Sequence, residues 1–440
     1  MSRSFRGGVH PPHHKKSTEG LPIESAAAPS VVVIPVQQHI GAPCSALVSV
    51  GDRVLMGQKI ADCAARVTAP IHASVSGKVI AVEMRAHPNG RETRAIVIEN
   101  DRLDEKFDGL TPCPDIDLMS REEIIAAVRE FGIVGMGGGA FPTHVKLTPP
   151  EGVTLDTVLL NGAECEPYLT CDHRVMLERA GDVIYGLRCL MKGAGVEKGM
   201  IGVEMNKADA IAALQQAAKD FANISVVPLK VKYPQGAELQ LLDACLGRKV
   251  PPGKLPLHVG VVVNNVHTAQ AVAQCMKTGM PSVDRVITVS GTCVERPGNL
   301  LVRVGTLFGD ILKERGQKCE PKKLICGGPM MGLAMYTVDV PVCKCTSGIL
   351  VMSAEEAPYE EAMTCVRCGK CVDACMMLLH PVFISQYGER GMWERAEEIG
   401  ALDCRECGAC SFICPARRRL TQSISLVKSD IYAHRNKSNA

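Results

Sequence analysis

CVRCGKCVDAC (Cys365–Cys375) and CRECGACSFICP (Cys404–Pro415) repeat one spacing, C-x2-C-x2-C-x3-C, the second copy 39 residues after the first. Two-residue gaps let a looped backbone aim three thiolates at three corners of a metal–sulfur cube. The fourth corner is filled from a distant part of the fold, and in two-cluster chains the fourth cysteine of each run serves the other cube. The repeat therefore predicts two 4Fe–4S clusters. Cys365, Cys368, Cys371 and Cys414 would hold one, and Cys404, Cys407, Cys410 and Cys375 the other. Zinc sites are built from C-x2-C pairs and would give the third cysteine of each copy no purpose. Met376 stands where the second run has Pro415, which weakens a turn signal and removes no ligand.

The chain holds 21 cysteines, and the thirteen outside the two runs are scattered without pairing signals. The opening residues, MSRSFRGGVHPPHHKK, lack the apolar core of a secretory signal. A reducing compartment follows as the expectation, and there clustered thiols bind metal more readily than they pair. Cys343 and Cys345, in VCKCTSG, read as ordinary buried thiols. A composition of 46% hydrophobic and 22% charged residues with net charge +2 is that of a globular chain. It gives no global reason to expect nucleic acid or a membrane surface as partner. The basic residues after Ala416 read as a solvated tail. No apolar run approaches the roughly 18 residues of a membrane span, so any membrane attachment would go through partners.

Length allows about three domains. Residues 1–26, polar and rich in His and Pro, read as an arm. Residues 27–104 carry short β runs (Val31–Val36, Ala46–Val50, Gly77–Val82, Ala95–Glu99) and predict an all-β module. Its segments 48–63 and 67–82 resemble the two halves of a lipoyl-type barrel-sandwich, without a lysine at the Cys63–Arg66 tip to carry a prosthetic group. Residues 115–280 open with a Ser120/Glu123 capping box. Strands at Thr157–Leu160, Met200–Glu204, Ile224–Val231 and His258–Val263 then alternate with helices at Asp172–Met191, Lys207–Phe221, Gly236–Cys245 and Asn265–Lys277. That alternation predicts a Rossmann-like α/β domain with a largely parallel sheet. Residues 281–345 read as a small β-grasp unit, and 355–430 as a helical domain for the two clusters. The fold class expected is multidomain α/β.

GIVGMGGGAFPTHVKL (Gly132–Leu147) is a loose match to a dinucleotide fingerprint, preceded by a helix rather than a strand and interrupted by Pro142. Glycines this dense let backbone N–H groups approach an anion or a flat ring. Three further segments, NGAECEPYLTCDHR (Asn161–Arg174), KYPQGAELQLL (Lys232–Leu242) and VVNNVHTAQAV (Val262–Val272), each follow a strand. The carboxyl ends of strands are where open α/β sheets bind ligands, so the four segments would converge on one crevice.

In this order, the four segments resemble the flavin- and NADH-binding subunit of respiratory complex I. Together with FRGGVHPPHHKK (Phe5–Lys16) and the cysteine repeat, the whole chain resembles the RnfC family of Rnf electron-transport complexes. The resemblance implies noncovalent FMN with NAD(H) docking over it as substrate. By motif, Gly135, Gly137 and Lys146 would hold the flavin phosphate region. Asn161, Glu164, Asn264 and Asn265 would bind the rest of the flavin, and Phe141, Glu166 and Glu238 would face the nicotinamide nucleotide. Ala163 and Ala237 stand where complex I has acidic residues. The implied role is that of a peripheral component on the cytoplasmic face of the membrane, within an ion-translocating NADH:ferredoxin oxidoreductase. Its implied partners are the other Rnf subunits and ferredoxin, reached directly or through an iron–sulfur protein of the complex. Two alternatives stay open: a cobalamin reductase of the propanediol-utilisation type, and a non-catalytic relay with a vestigial flavin site.

Overall fold

The computed structural model describes residues 3–358 and 360–438. The barrel-sandwich is built from two small sheets. One orders Val31–Pro35, Glu92–Asn100, Gly77–Ala86 and Arg53–Val54, and the other holds Ser45–Ala46, Lys59–Asp62 and Ile71–His72. Alternating apolar residues from both close on Val32, Ile34, Ile60, Ile71, Val79, Ile96 and Ile98. The run expected at Ala46–Val50 pairs only at Ser45–Ala46, because the chain turns at Gly51, whose φ is +101°.

The α/β domain holds four strands, all parallel, in the order Ile224–Leu229, Lys198–Glu204, Thr157–Gly162, Val261–Asn265. The strand expected from His258 starts three residues later, since Pro256–Val259 forms a 3-10 turn ended by Gly260 at φ +80°. The helix Arg121–Glu130 begins at the expected capping box, Ser120 and Glu123 each bonding the other's backbone N–H. The single helix expected over Asp172–Met191 is two, Cys171–Glu178 and Ala180–Ala194. They turn at Arg179, two residues before Gly181, which weakens helix propensity there.

A six-stranded mixed sheet makes the β-grasp unit: Ile23–Ser25, Gly298–Arg303, Asp284–Ser290, Gly348–Met352, Lys323–Cys326, Leu333–Met335. Its strand Gly348–Met352 lies beyond the boundary expected at residue 345. The helix Phe308–Arg315 packs Phe308 and Ile311 into the core below the sheet. Cys293 and Cys319 are joined by a disulfide in this unit, a pairing that no spacing in the sequence signals.

The reading of residues 1–26 as a detached arm is corrected. Ile23–Ser25 is the edge strand of the β-grasp sheet, Arg3 bridges Leu229 and Val9 bridges Tyr233. Phe5, Val9, Lys15 and Thr18 are buried. The polar composition misleads because the cations use their stems for burial and their heads for capture. Lys15 donates to the carbonyls of Glu164 and Leu169, and Lys232 sits 4.7 Å over the Phe5 ring.

Three units meet at Lys344. Its Nζ donates to Pro70 of the barrel-sandwich at 2.9 Å and to Gly132 of the α/β domain at 2.7 Å. Burial lowers its pKa to about 8. Between that value and about 10.4, the ordinary value for lysine, the unfolded chain holds this proton and the folded chain does not. Stability from this group therefore rises with pH across that window, by up to about 3 kcal/mol. Thermal midpoints at pH 7.5 and 9.5 should show the natural chain gaining on Lys344→Met. An unchanged difference would exclude a buried charge at this junction.

Candidate functional site

After strand Thr157–Gly162 the chain adds Lys198–Glu204 and Ile224–Leu229 on one side, then returns to add Val261–Asn265 on the other. The sheet therefore has its switch point between Thr157–Gly162 and Val261–Asn265, and a crevice opens beyond their carboxyl ends. Asn161 and Asn265 lie there as register partners. The glycine loop folds over the same place. Gly135 N–H donates to the Phe141 carbonyl at 2.8 Å, and Met136 N–H to Thr268 Oγ1 at 2.9 Å. A Cβ on Gly137 would lie 3.3 Å from Asn265 Cβ, whereas Cβ atoms on Gly138 and Gly139 would meet nothing within 4 Å. Exposed peptide groups thus stand beside the start of helix Val266–Thr278, an arrangement suited to a phosphate.

The polar strand ends divide by what they touch. Asn265 caps that helix through His267 N–H at 2.8 Å and donates to Asp172 at 2.6 Å. Asn161 donates to the Gly236 carbonyl and accepts from Ala163 N–H. Asn264 is 3% exposed, and neither its Oδ1 nor its Nδ2 has a partner. Such a pair of orphaned atoms calls for a polar ligand. Lys146 donates to the Val263 carbonyl at 2.8 Å and reaches Glu238 at 3.7 Å. It thereby places a cation beside Asn264 and a half-exposed carboxylate at the crevice mouth. Phe141 is half-buried on the loop. These groups fit a flavin phosphate and the hydrogen-bonding edge of its ring.

Glu164 and Glu166 sit deeper. Glu164 accepts from Asp172 and His173 N–H, capping helix Cys171–Glu178. Glu166 accepts from Met330 and Met331 N–H and lies 3.3 Å from the Tyr233 hydroxyl oxygen. Burial pushes each carboxyl up to about 7. At the departures from complex I, Ala163 is buried and its carbonyl accepts from Lys207 at 2.6 Å, and Ala237 is the N-cap of helix Glu238–Leu246.

The cysteine runs have matching local geometry. Arg367 and Glu406, Gly369 and Gly408, and Leu378 and Arg417 all have positive φ, each pair separated by the repeat length. Arg367 and Glu406 N–H groups donate to Cys365 and Cys404 sulfurs at 3.4 Å. Burial raises the thiols of Cys404, Cys407 and Cys410, and nearby Cys375 raises each further. Cys371, also raised first by burial, is coupled to Cys414. Cys375 therefore lies near Cys404, Cys407 and Cys410, and Cys414 near Cys371, the crossed neighbours that the spacing predicts for two iron–sulfur cubes.

The group led by Cys404 faces the crevice. Tyr233 donates to the Cys407 carbonyl at 2.6 Å while reaching Glu166, and Tyr233, Val9, Ala374 and Ala409 form one apolar cluster. The opening segment seals this joint: Gly8 N–H donates to Ala374 at 2.9 Å, and a Cβ on Gly7 would lie 2.8 Å from the Cys375 carbonyl. By contrast Cys368 is exposed.

Several residues at the site have no signal in the sequence. Arg285, 1% exposed, donates to the Met136 carbonyl at 2.7 Å, to Lys344 at 2.9 Å and to Thr346. It holds the glycine loop from below, yet lies in an ordinary strand pattern. Tyr233 lies inside a segment read for its glycine and acid. Cys343 and Cys345 have thiols raised by burial, and the neighbouring Cys326 raises Cys343 further.

Comparison with known proteins agrees with this division. Family models described as RnfC Barrel sandwich hybrid domain, Nuo51 FMN-binding domain and 4Fe-4S dicluster domain match residues 3–103, 128–274 and 357–415. The crystal structure of an NAD+-reducing [NiFe]-hydrogenase in its H2-reduced state shares the fold at a TM-score of 0.52 and 18% identity, covering 75% of this chain and 69% of that one. The chain is 47% identical to the RnfC protein of the Na(+)-translocating ferredoxin:NAD(+) oxidoreductase complex of Acetobacterium woodii, over 99% of both chains. It is 46% identical to the counterpart in the proton-translocating complex of Clostridium ljungdahlii, over 98% of this chain and 94% of that one. To the counterpart in the ion-translocating oxidoreductase complex of Rhodobacter capsulatus it is 39% identical, over 98% and 84%. With barrel-sandwich, flavin and dicluster units in the same order, and full-length relatives at this identity, the chain belongs to the RnfC family.

Proposed function

We propose that this chain exchanges electrons between NAD(H) and ferredoxin as the RnfC component of an ion-translocating Rnf complex. Flavin accepts electrons in pairs from a nicotinamide and passes them on singly, which matches the one-electron capacity of each cluster. The observation that carries the reading is Tyr233, which joins the crevice carboxylate Glu166 to the carbonyl of cluster ligand Cys407.

In this reading Gly135 shapes the loop through its bond to Phe141, and the N–H groups of Gly137–Gly139 and the Lys146 ammonium bind the flavin phosphate. Asn264, Asn161 and Asn265 orient the ring, and Phe141 and Glu238 border the nicotinamide nucleotide. Glu164 and Glu166 support the pocket by fixing helix Cys171–Glu178 and the Gly327–Gly332 turn. The group of Cys404, Cys407, Cys410 and Cys375 is the near relay station, and that of Cys365, Cys368, Cys371 and Cys414, with its exposed cysteine, the exit. Among the described residues no helix is long and apolar enough to cross a membrane. Ion movement therefore belongs to partner proteins, with this chain held against them at the cytoplasmic face.

The test is a single anaerobic preparation assayed for iron, sulfide and flavin, then mixed with NADH. About eight iron atoms and one FMN per chain are expected, with bleaching of the cluster absorbance on adding NADH. Clusters without flavin and without bleaching would leave a simple relay.

A further inference from the structure

A second cavity, of about 690 Å³, lies between the opening segment and the β-grasp unit. That volume is within the range of small-molecule sites, roughly 300–1,000 Å³. None of the glycine-loop, asparagine or carboxylate groups of the crevice lines it.

Its walls are basic. Lys15, Lys16, Lys318, His13 and His14 face two carboxylates, Glu19 and Glu356. Glu356 is already engaged, accepting from the Tyr168 hydroxyl at 2.5 Å and from Thr292 N–H and Oγ1 at 3.0 and 2.6 Å. Lys15 points away to backbone carbonyls. Lys16 and Lys318, both exposed, are the cations able to reach an occupant.

A flat platform stands at the same place. The His14 and Tyr168 rings stack at 4.7 Å and 5°. Both residues adopt left-handed backbone, φ +47° and +66°, which is unfavourable for L side chains and persists only where the surroundings enforce it. The Tyr168 N–H bond to the His13 carbonyl, at 2.9 Å, does so here. His14 is exposed, so one ring face is free. The opposite wall is also fixed: the Cys293–Cys319 disulfide links the residues next to Thr292 and Lys318, and Lys318 N–H donates to the Cys293 carbonyl at 3.0 Å.

We propose that this cavity binds a nucleotide, with Lys16 and Lys318 on its phosphates and the outer face of His14 under its base. Lysine recognises phosphate as a point charge, and an aromatic face accepts any base by stacking. The ligand is separate from the electron donor, because the cavity shares no residue with the crevice.

The experiment is isothermal titration of anaerobically purified, cluster- and flavin-loaded protein with ADP and with pyrophosphate. ADP should bind saturably at one site, and more tightly than pyrophosphate. The double variant Lys16→Ala, Lys318→Ala should weaken ADP about tenfold or more, the scale of lost charge-assisted contacts. His14→Ala should bring ADP to the level of pyrophosphate. Iron content, flavin content and bleaching by NADH should be unchanged in both variants. Absence of saturation at about 1 mM ADP, or ADP binding that survives the lysine substitutions, would overturn the proposal. So would displacement of ADP by NADH with equal strength in natural and double-variant protein, since that places ADP in the crevice. Equal affinities of ADP and pyrophosphate that ignore His14→Ala would remove the base from the site and overturn the nucleotide assignment.

Discussion

Cys375→Ala is expected to destroy the cluster that begins at Cys404, and to spare the one that begins in its own run. Sequence proximity suggests the opposite. The structure places Cys375 near Cys404, Cys407 and Cys410, and Cys414 near Cys371, because the short helices Lys370–Asp373 and Ala409–Phe412 pack together and the cysteine just past each one meets the other run. Iron should fall from about eight to about four atoms per chain. The two substitutions differ in what NADH then reduces. Cys375→Ala removes the station held to the crevice by Tyr233, so the surviving exit cluster should stay oxidised in a single turnover. Cys414→Ala should lose as much iron yet keep rapid bleaching of the near cluster. Anaerobic spectroscopy of both variants decides the matter, and equal bleaching in the two would refute the order of the stations.

Arg285→Met is expected to strip flavin while leaving iron in place. Arg285 approaches from the β-grasp sheet and fixes the Met136 carbonyl, turning the same peptide chain so that Met136 N–H reaches Thr268 and Gly137 comes against Asn265. Methionine fills the space without donors, leaving three buried carbonyls unpaired. Hydrogen bonds from a charged donor contribute about 1.5–3 kcal/mol each, and the one to Met136 alone corresponds to a loss of flavin affinity of about ten- to a hundredfold. Arg285→Lys keeps a charge but cannot span three carbonyls, so intermediate retention is expected. Flavin release on dilution, measured by fluorescence at constant iron content, checks this. Retention of flavin by Arg285→Met would mean that the loop holds its shape unaided.

What the sequence makes legible here are features whose chemistry is local. Thiol spacing declares both clusters, a Ser/Glu pair declares one helix start, and polar residues closing apolar strands mark the ends of the sheet at Asn161, Asn264 and Asn265. Features that join distant segments are not legible. Nothing in the pattern of Asp284–Ser290 distinguishes Arg285 from a surface cation. Lys344 carries no mark between its two cysteines, and the Cys293–Cys319 disulfide follows no spacing rule. The opening residues mislead because burial of Lys15 or Val9 depends on carbonyls and rings supplied by later parts of the chain. For Glu164 and Glu166 the resemblance suggests ligand contacts, whereas their oxygens accept backbone N–H groups that only the folded chain presents.

The clasp between Arg3–Val9 and later parts of the chain also sets a timetable. Arg3 through Val9 emerge from the ribosome well before Leu229, Tyr233 and Ala374, which receive them, and synthesis rates imply a delay on the order of tens of seconds. Until then the newborn leading segment has no seat. Its contacts at Gly7 and Gly8 lock only after the cysteine-rich segment has been made and shaped around its metal, so that part of the clasp reports on completed maturation. Chain that has not received iron should be nicked by trypsin at Arg6, beside the Gly7 and Gly8 contacts to the cluster segment, and loaded chain should resist.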